Sequence, residues 1–256
     1  MSAAESFWAK LPLGRGVEVI ASDANGLAAL NKPAGVLSHP NEARDRVRSL
    51  LVADYDAQTE SFGWEEDGEG AGGRLWLLNR LDSATSGVIL VASDEALAKE
   101  IRAQFKRKQV TKIYQALVFG KPMRAAEVWR DLLAVQKAGG RIRTSASAGN
   151  VPAECAMKLV ATRAGADVLS LLQLEPRTGR SHQLRVQCAK RRLPIVGDQT
   201  YGDFGHNRAF AKRTGEKRLF LHSMETRFRY DWKGRTFDFA ARAELPEAFR
   251  AAVGRG

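Results

Sequence analysis

The sequence predicts a strand-rich fold with a few interspersed helices, in one large domain with room for two lobes. Three observations predict it. Apolar runs at Leu75 to Leu78 and Val88 to Val91 have the length of short buried strands. Residues 124 to 175 show no helical period and break into strand-like runs. Helical periods surface only in separate short stretches, with no internal repeat and no clean linker.

Taken in order, residues 1 to 16 hold Trp8, Pro12 and two glycines without a period, and read as an irregular N-terminal arm before a domain over 17–256. Val17 to Ile20 and Leu27 to Leu30 then form a hairpin about Asp23-Ala24-Asn25-Gly26, because Asn-Gly is a strong hairpin turn. A Pro- and Gly-containing loop runs from Asn31 to Pro40. Val47, Leu50, Leu51 and Tyr55 fall at helical spacing and predict a helix over 44–55. A loop rich in Gly and Glu follows, from about Glu60 to Gly73.

Beyond the central strand pair, Ser93 is placed to cap a helix. Asp94 and Glu95 stand in its first turn and Lys106 to Lys108 at its end, both suiting the helix dipole, and Leu97, Ile101 and Phe105 form its buried stripe. Lys112 to Phe119 is a strand stopped by Gly120-Lys121-Pro122. Val128 to Val135, Cys155 to Ala161 and Val168 to Leu174 are strands, with turns at Gly139-Gly140 and Gly149-Asn150. Ser181 is placed to cap a helix over 182–192, and a second loop spans Pro194 to Gly202. Leu219 to His222, Thr226 to Tyr230 and Thr236 to Ala240 are closing strands, the last pair turned by Lys233-Gly234, before a helix over 245–253.

Composition narrows the function. Hydrophobic residues make up 44% of 256, enough for a sizeable core. No run of about 18 apolar residues exists to cross a membrane. Met1 to Glu5 lacks the basic-then-apolar pattern of a secretory signal. Cys155 and Cys188 have no metal-ligand spacing and read as buried thiols of a reducing cytoplasm. His39, His182, His206 and His222 are scattered, so no metal is expected. Neither a phosphate-binding glycine loop nor a dinucleotide fingerprint is present, and no cofactor is expected. The formal charge of +11 points instead to a polyanion such as nucleic acid. Basic residues cluster at 102–112, 190–192 and 212–218, a pattern that favours phosphate contacts.

The chemistry concentrates between the two core strands, in Arg80-Leu81-Asp82-Ser83-Ala84-Thr85-Ser86-Gly87. Small hydroxyl residues and a glycine permit a tight turn, and a carboxylate on such a turn is well placed for reaction. By residue type alone, Asp82 reads equally as a turn residue accepting backbone N–H bonds.

That stretch resembles the catalytic motif of the RluA-type pseudouridine synthases. Four further blocks agree in order: Asn31-Lys32-Pro33-Ala34-Gly35-Val36, Lys112-Ile113-Tyr114-Gln115-Ala116, Thr178 to Val186 continued by Pro194-Ile195 and Gly197 to Gly202, and Leu221-His222-Ser223. The resemblance covers roughly residues 17 to 245. It implies an α+β pseudouridine synthase fold, a central mixed, mostly antiparallel sheet with flanking helices and loops. It implies a monomeric cytoplasmic enzyme that detaches uracil from ribose in ribosomal or transfer RNA, turns it, and rejoins it through carbon 5 without a cofactor.

The resemblance also assigns roles. Asp82 is the catalytic carboxylate, by covalent attack or by abstraction of a ribose proton; both need an ionised, positioned group. Arg185 pairs with that aspartate and favours its charged form. Tyr114 stacks on the target base and assists proton removal from carbon 5. Arg80 fills the space of the flipped-out nucleotide, where a guanidinium both stacks and hydrogen-bonds. Leu221 walls the pocket, and Arg180 and Lys32 contact phosphate or position loops. Three positions depart from the pattern: Asn79 and Gln187 stand where histidine is usual, and Arg192 where a helix-ending glycine is common. These departures and the basic surface motivate a second hypothesis, an RNA-binding module that assists folding with little catalysis. A hydrolase with paired carboxylates finds no second carboxylate in the motif.

Overall fold

The computed structural model describes residues 7–65, 72–138, 141–145 and 149–254. The chain divides into two compact units: residues 1–110 with 225–243, and residues 111–224 with 244–256. Every strand ladder described is antiparallel; one isolated bridge, Leu37 with Ser49, is parallel.

The first unit opens with the hairpin of β1 (Glu18–Ser22) and β2 (Leu27–Lys32). Asp23 Oδ1 accepts the Asn25 and Leu27 amides, and Gly26 takes φ +92°, so the turn residues that predicted the hairpin also close it. The strands β3 (Asp54–Asp56), β4 (Ser61–Trp64), β5 (Gly73–Leu77) and β6 (Ser86–Ala92) follow, and β6 pairs with both β2 and β5. Every residue of β6 is buried, as the continuous apolar run requires. Helix α1 (Glu95–Lys106) lays Leu97, Ala98 and Ile101 on a core with Leu27, Trp76, Val88 and Leu90.

In the second unit, β7 (Thr111–Phe119), β8 (Ala126–Ala138), β9 (Arg141–Ser145), β10 (Val151–Arg163) and β11 (Leu169–Pro176) pair in the order β7-β11-β10-β8-β9. Helices α2 (Gln183–Lys190) and α3 (Phe204–Thr214) follow. Strand β12 (Leu221–Trp232) starts here; its later residues pair with β13 (Arg235–Arg242) in the first unit. Helix α4 (Glu247–Val253) belongs to the second unit, where Phe249 meets the Phe220 ring at 5.0 Å.

Several expectations change. The helix over 44–55 is a short 3-10 helix, Ala43–Arg48, that buries nothing. Leu50 and Leu51 are both fully buried because the chain there is held extended, by Leu50 N–H to the Leu37 carbonyl and by a bridge from Leu51 to Leu13. Extended neighbours face opposite ways, so two adjacent leucines are buried without a helix. Ser61–Trp64 is a strand, not loop, and residues 66–71 of the expected loop lie outside the described residues. The Gly139-Gly140 turn also lies outside them.

Asp94, not Ser93, caps α1, accepting the Leu97 amide at 2.8 Å; Ser93 Oγ is turned to the Gly26 carbonyl. Ser181 caps nothing on α2, whose N-terminal position is His182 at φ +55° without a side-chain cap bond. The two strands expected at 219–230 are one, β12. Strand β9 and helix α3 were not expected from the sequence pattern.

Candidate active site

Strands β5 and β6 are joined by the turn that carries Asp82. Its backbone is held at Leu78, Leu81, Asp82, Ser83 and Thr85. Leu78 N–H donates to the Leu90 carbonyl, and Asn79 Oδ1 accepts the Leu90 amide at 2.8 Å. The asparagine that stands where histidine is usual thus serves as a backbone acceptor. Ser38 Oγ donates to the Leu81 carbonyl at 2.8 Å and accepts the Leu81 amide at 3.0 Å. The Thr85 amide closes the turn on the Asp82 carbonyl at 3.0 Å. Gly87 ends it at φ +110°, a conformation that suits glycine.

Beneath the turn lies Lys32, fully buried. Its ammonium donates to the carbonyls of Pro33 at 3.0 Å, Val36 at 2.6 Å and Ser83 at 3.1 Å. The Gly35 amide reaches the same Ser83 carbonyl at 2.8 Å. A buried ammonium spanning these carbonyls ties the 31–36 loop to the residue after Asp82. Of the two readings for Lys32, this geometry is that of loop positioning, since a fully buried group presents nothing to a phosphate. Asp82 is half-buried, and Arg80 is exposed, with a guanidinium nitrogen 4.0 Å from Glu60.

The second unit carries Tyr114, Arg180, Arg185 and Leu221. Tyr114 sits half-buried on β7, opposite Leu174 of β11. Two residues before it, burial holds the Lys112 ammonium below its usual range. Leu221 is buried at the start of β12. Arg180 is exposed and donates to the Pro152 carbonyl at 3.2 Å.

Arg185 is buried on α2, where it pairs with an aspartate not expected from the sequence, Asp198. Its Nε and Nη2 meet Asp198 Oδ2 and Oδ1 at 2.8 and 2.7 Å, a two-bond planar pair. Asp198 Oδ1 also accepts the Thr200 and Tyr201 amides. Burial alone would raise this carboxyl, but the Arg185 guanidinium and the two amides outweigh it and hold it below the ordinary carboxylate range. The guanidinium lies 5.1 Å from the Tyr201 ring centre. The Tyr201 hydroxyl accepts the Thr144 amide at 3.0 Å and meets His182 Nδ1 at 2.9 Å.

A second buried network fixes α2 from its other side. Gln187 Nε2 donates to Asp131 Oδ2 at 2.7 Å while its Oε1 accepts from Gln183. Lys190 and Arg191 complete the pairing of Asp131, and Arg191 lies 4.5 Å over Trp129. Gln187 replaces the usual histidine with a group bonded at both ends. Asp198 lies in the motif block 197–202, but nothing in the order of residues marks it as the partner of Arg185. Among the described residues, no three His, Cys, Asp or Glu side chains gather in a metal-holding arrangement.

The sequence model for RNA pseudouridylate synthase matches residues 26–190, more than half of the chain and spanning the Asp82 turn, β7 and α2. The chain belongs to the RNA pseudouridylate synthase family. It is 32% identical to the tRNA pseudouridine synthase C of Yersinia pestis, over 90% of this chain and 88% of that protein. It is 34% identical to the ribosomal large subunit pseudouridine synthase C of Vibrio vulnificus, over 82% of this chain and 61% of that one. Among solved structures, human RNA Pseudouridylate Synthase Domain Containing 4 superposes with a TM-score of 0.65 at 24% identity, covering 96% of this chain and 94% of that one. The fold is therefore the α+β pseudouridine synthase fold, and the protein is an RNA pseudouridine synthase, an isomerase.

Proposed function

We propose that this synthase isomerises uridine in transfer RNA and that Asp82 is its catalytic carboxylate. The observation that carries the reading is the fixation of the Asp82 turn by Lys32, Ser38 and Gly35. Such a scaffold holds one half-buried carboxylate at a set position, as both covalent attack and proton abstraction require. The bond from uracil N1 to ribose breaks, a bond from carbon 5 forms, and the proton lost from carbon 5 is balanced by one gained at N1. No electrons leave the system, so the balance needs no cofactor.

In this reading Tyr114 stacks on the base and Arg185, set by Asp198, supplies positive charge to the reaction. Arg80 fills the flipped-out nucleotide's space, Arg180 holds phosphate, and Leu221 gives an apolar wall. Transfer RNA is favoured by the relative covered over nearly its full length. A ribosomal RNA substrate is the second reading, supported by the relative at 34% identity that is named for the large ribosomal subunit. A monomer acting in the cytoplasm fits both, and the buried Cys155 and Cys188 suit a reducing compartment.

Mapping pseudouridine in total RNA with and without the gene tests the substrate. Loss of a transfer RNA signal supports the proposal. Loss confined to ribosomal RNA supports the second reading, and no loss from either RNA contradicts both.

A further inference from the structure

Of the basic residues in the second unit, several are already paired: Lys190 and Arg191 with Asp131, and Arg213 with Asp167. Others are not, and three of them lie close together in sequence around α3. Among the described residues, Arg192, Arg208 and Lys212 have no acid within the 4.0 Å ion-pair distance. All three are exposed.

Arg192 lines an open groove of about 390 Å3, with Phe119, Pro194, Tyr201, Asp203 and His206 among its walls. Asp203 in that wall is engaged as the cap of α3, accepting the His206 amide at 2.9 Å, and its oxygen lies 3.7 Å from His206 Nδ1. Arg192 holds φ +57°, a region that strains an L side chain and leaves glycine free. A long cation kept in a conformation that suits glycine, facing an open groove, points to use of the side chain itself.

Helix α3 begins at the same groove. Phe204, Arg208 and Lys212 recur every four residues along it, about 6 Å apart along the axis, and so share one side. Phe204 is 53% exposed, unusual for a phenylalanine in a helix whose only buried residues are Asn207 and Phe210. An exposed aromatic ring followed by two cations outside any ion pair, of which Arg208 acts on Asp203 only at longer range, is the chemistry that binds a nucleic acid strand, by stacking on bases and by neutralising phosphates.

We propose that the Arg192 groove and the Phe204–Arg208–Lys212 stripe form a docking surface for substrate RNA outside the target uridine. Arg192, Arg208 and Lys212 meet phosphates, and Phe204 stacks on an unpaired base. The proposal rests on the assignment of an RNA substrate to this synthase.

The test is the binding of a fluorescently labelled transfer RNA transcript across a salt series, beside pseudouridine formation on the same transcript. The triple variant Arg192→Gly, Arg208→Gln, Lys212→Gln should raise Kd at least about tenfold and lower the slope of log Kd against log salt by about two, from ~0.7 per lost single-strand contact. Arg192→Gly alone should contribute to that loss while keeping or raising Tm, because it relieves backbone strain. Phe204→Ala should raise Kd about fivefold with the salt slope unchanged. Lys99→Gln, an exposed cation on α1 paired with Glu95, is the charge control and should change neither. Wild-type Kd and slope in the triple variant, or an equal effect per charge in the control, overturns the inference. Altered binding in the variants without pseudouridine formation by the wild type would instead count against transfer RNA as the substrate.

Discussion

The Ser38 hydroxyl makes both hydrogen bonds that the Leu81 backbone can offer, donating to its carbonyl at 2.8 Å and accepting its amide at 3.0 Å. Both residues are buried. Leu81 immediately precedes Asp82, so a side chain 43 residues away in sequence sets the entry to the candidate catalytic turn. Ser38→Ala leaves a buried N–H and a buried C=O without that partner, at a cost of about 1–3 kcal/mol. The expected result is a kcat several-fold lower with KM little changed, since the loss is of positioning rather than of RNA contact. Steady-state kinetics beside a thermal melt check it; a variant that loses stability in the melt but keeps kcat shows Ser38 to be structural only.

Lys32 has a larger role in the same turn. Lys32→Met keeps the length of the side chain but removes the donor shared by the Pro33, Val36 and Ser83 carbonyls. Several buried acceptors then lose a charged donor, and we expect a loss of about 3 kcal/mol or more, with kcat reduced well beyond the effect of Ser38→Ala. Chemical denaturation with matched activity assays measures both.

The Arg185–Asp198 pair predicts an acid limb in stability. Asp198 and Asp131 both have carboxyls held below their ordinary value, against burial, by cationic partners and amide donors. A lowered folded-state value means that their contribution is complete above the unfolded pKa of about 4 and is lost as pH falls through the folded values. Tm should therefore be nearly flat from pH 7 to about 5 and fall steeply below about 4. Asp198→Asn removes a buried counter-charge of Arg185, costs about 3 kcal/mol at pH 7, and flattens part of the acid limb. Melting curves across pH for the two proteins decide it; parallel curves contradict the assignment.

The two thiols should be inert. Burial pushes Cys155 up to about 12 and Cys188 well above its ordinary value. Thiolate is the reactive form, so the native protein should resist alkylation at pH 8, and both cysteines should react once it is unfolded. Mass spectrometry after iodoacetamide reads the outcome. Labelling at the rate of a free thiol contradicts the packing around them.

Much of this was legible in the sequence, for physical reasons that can be named. The β1–β2 hairpin was readable because Asn25-Gly26 dictates its turn. Strands β5 and β6 were readable because an unbroken apolar run has few alternatives. The strand that carries Tyr114 and the helix that carries Arg185 were readable from their apolar patterns, and the Asp82 turn from the small residues between two apolar runs. The helix expected over 44–55 was not formed, because Leu50 and Leu51 are buried through backbone bonds to Leu37 and Leu13 while Val47 is exposed, so the spacing marks no helix face. Helix α3 was not expected because it is mostly exposed and lacks a buried apolar stripe, although Asp203 and Gly215 mark its ends. Asp198 was opaque for another reason: its role depends on Gly197 turning at φ +76° and on Asn207 accepting the Gly197 amide, relationships that only the folded chain contains.

The most direct test of the account is multiple-turnover pseudouridine formation on transfer RNA transcripts by the wild type and by Asp82→Ala, with circular dichroism showing both folded. The account predicts many pseudouridines per wild-type molecule and a loss of at least about 10³-fold in the variant, the scale of removing an essential acid–base or nucleophilic group. A folded Asp82→Ala protein that converts uridine at the wild-type rate would contradict it.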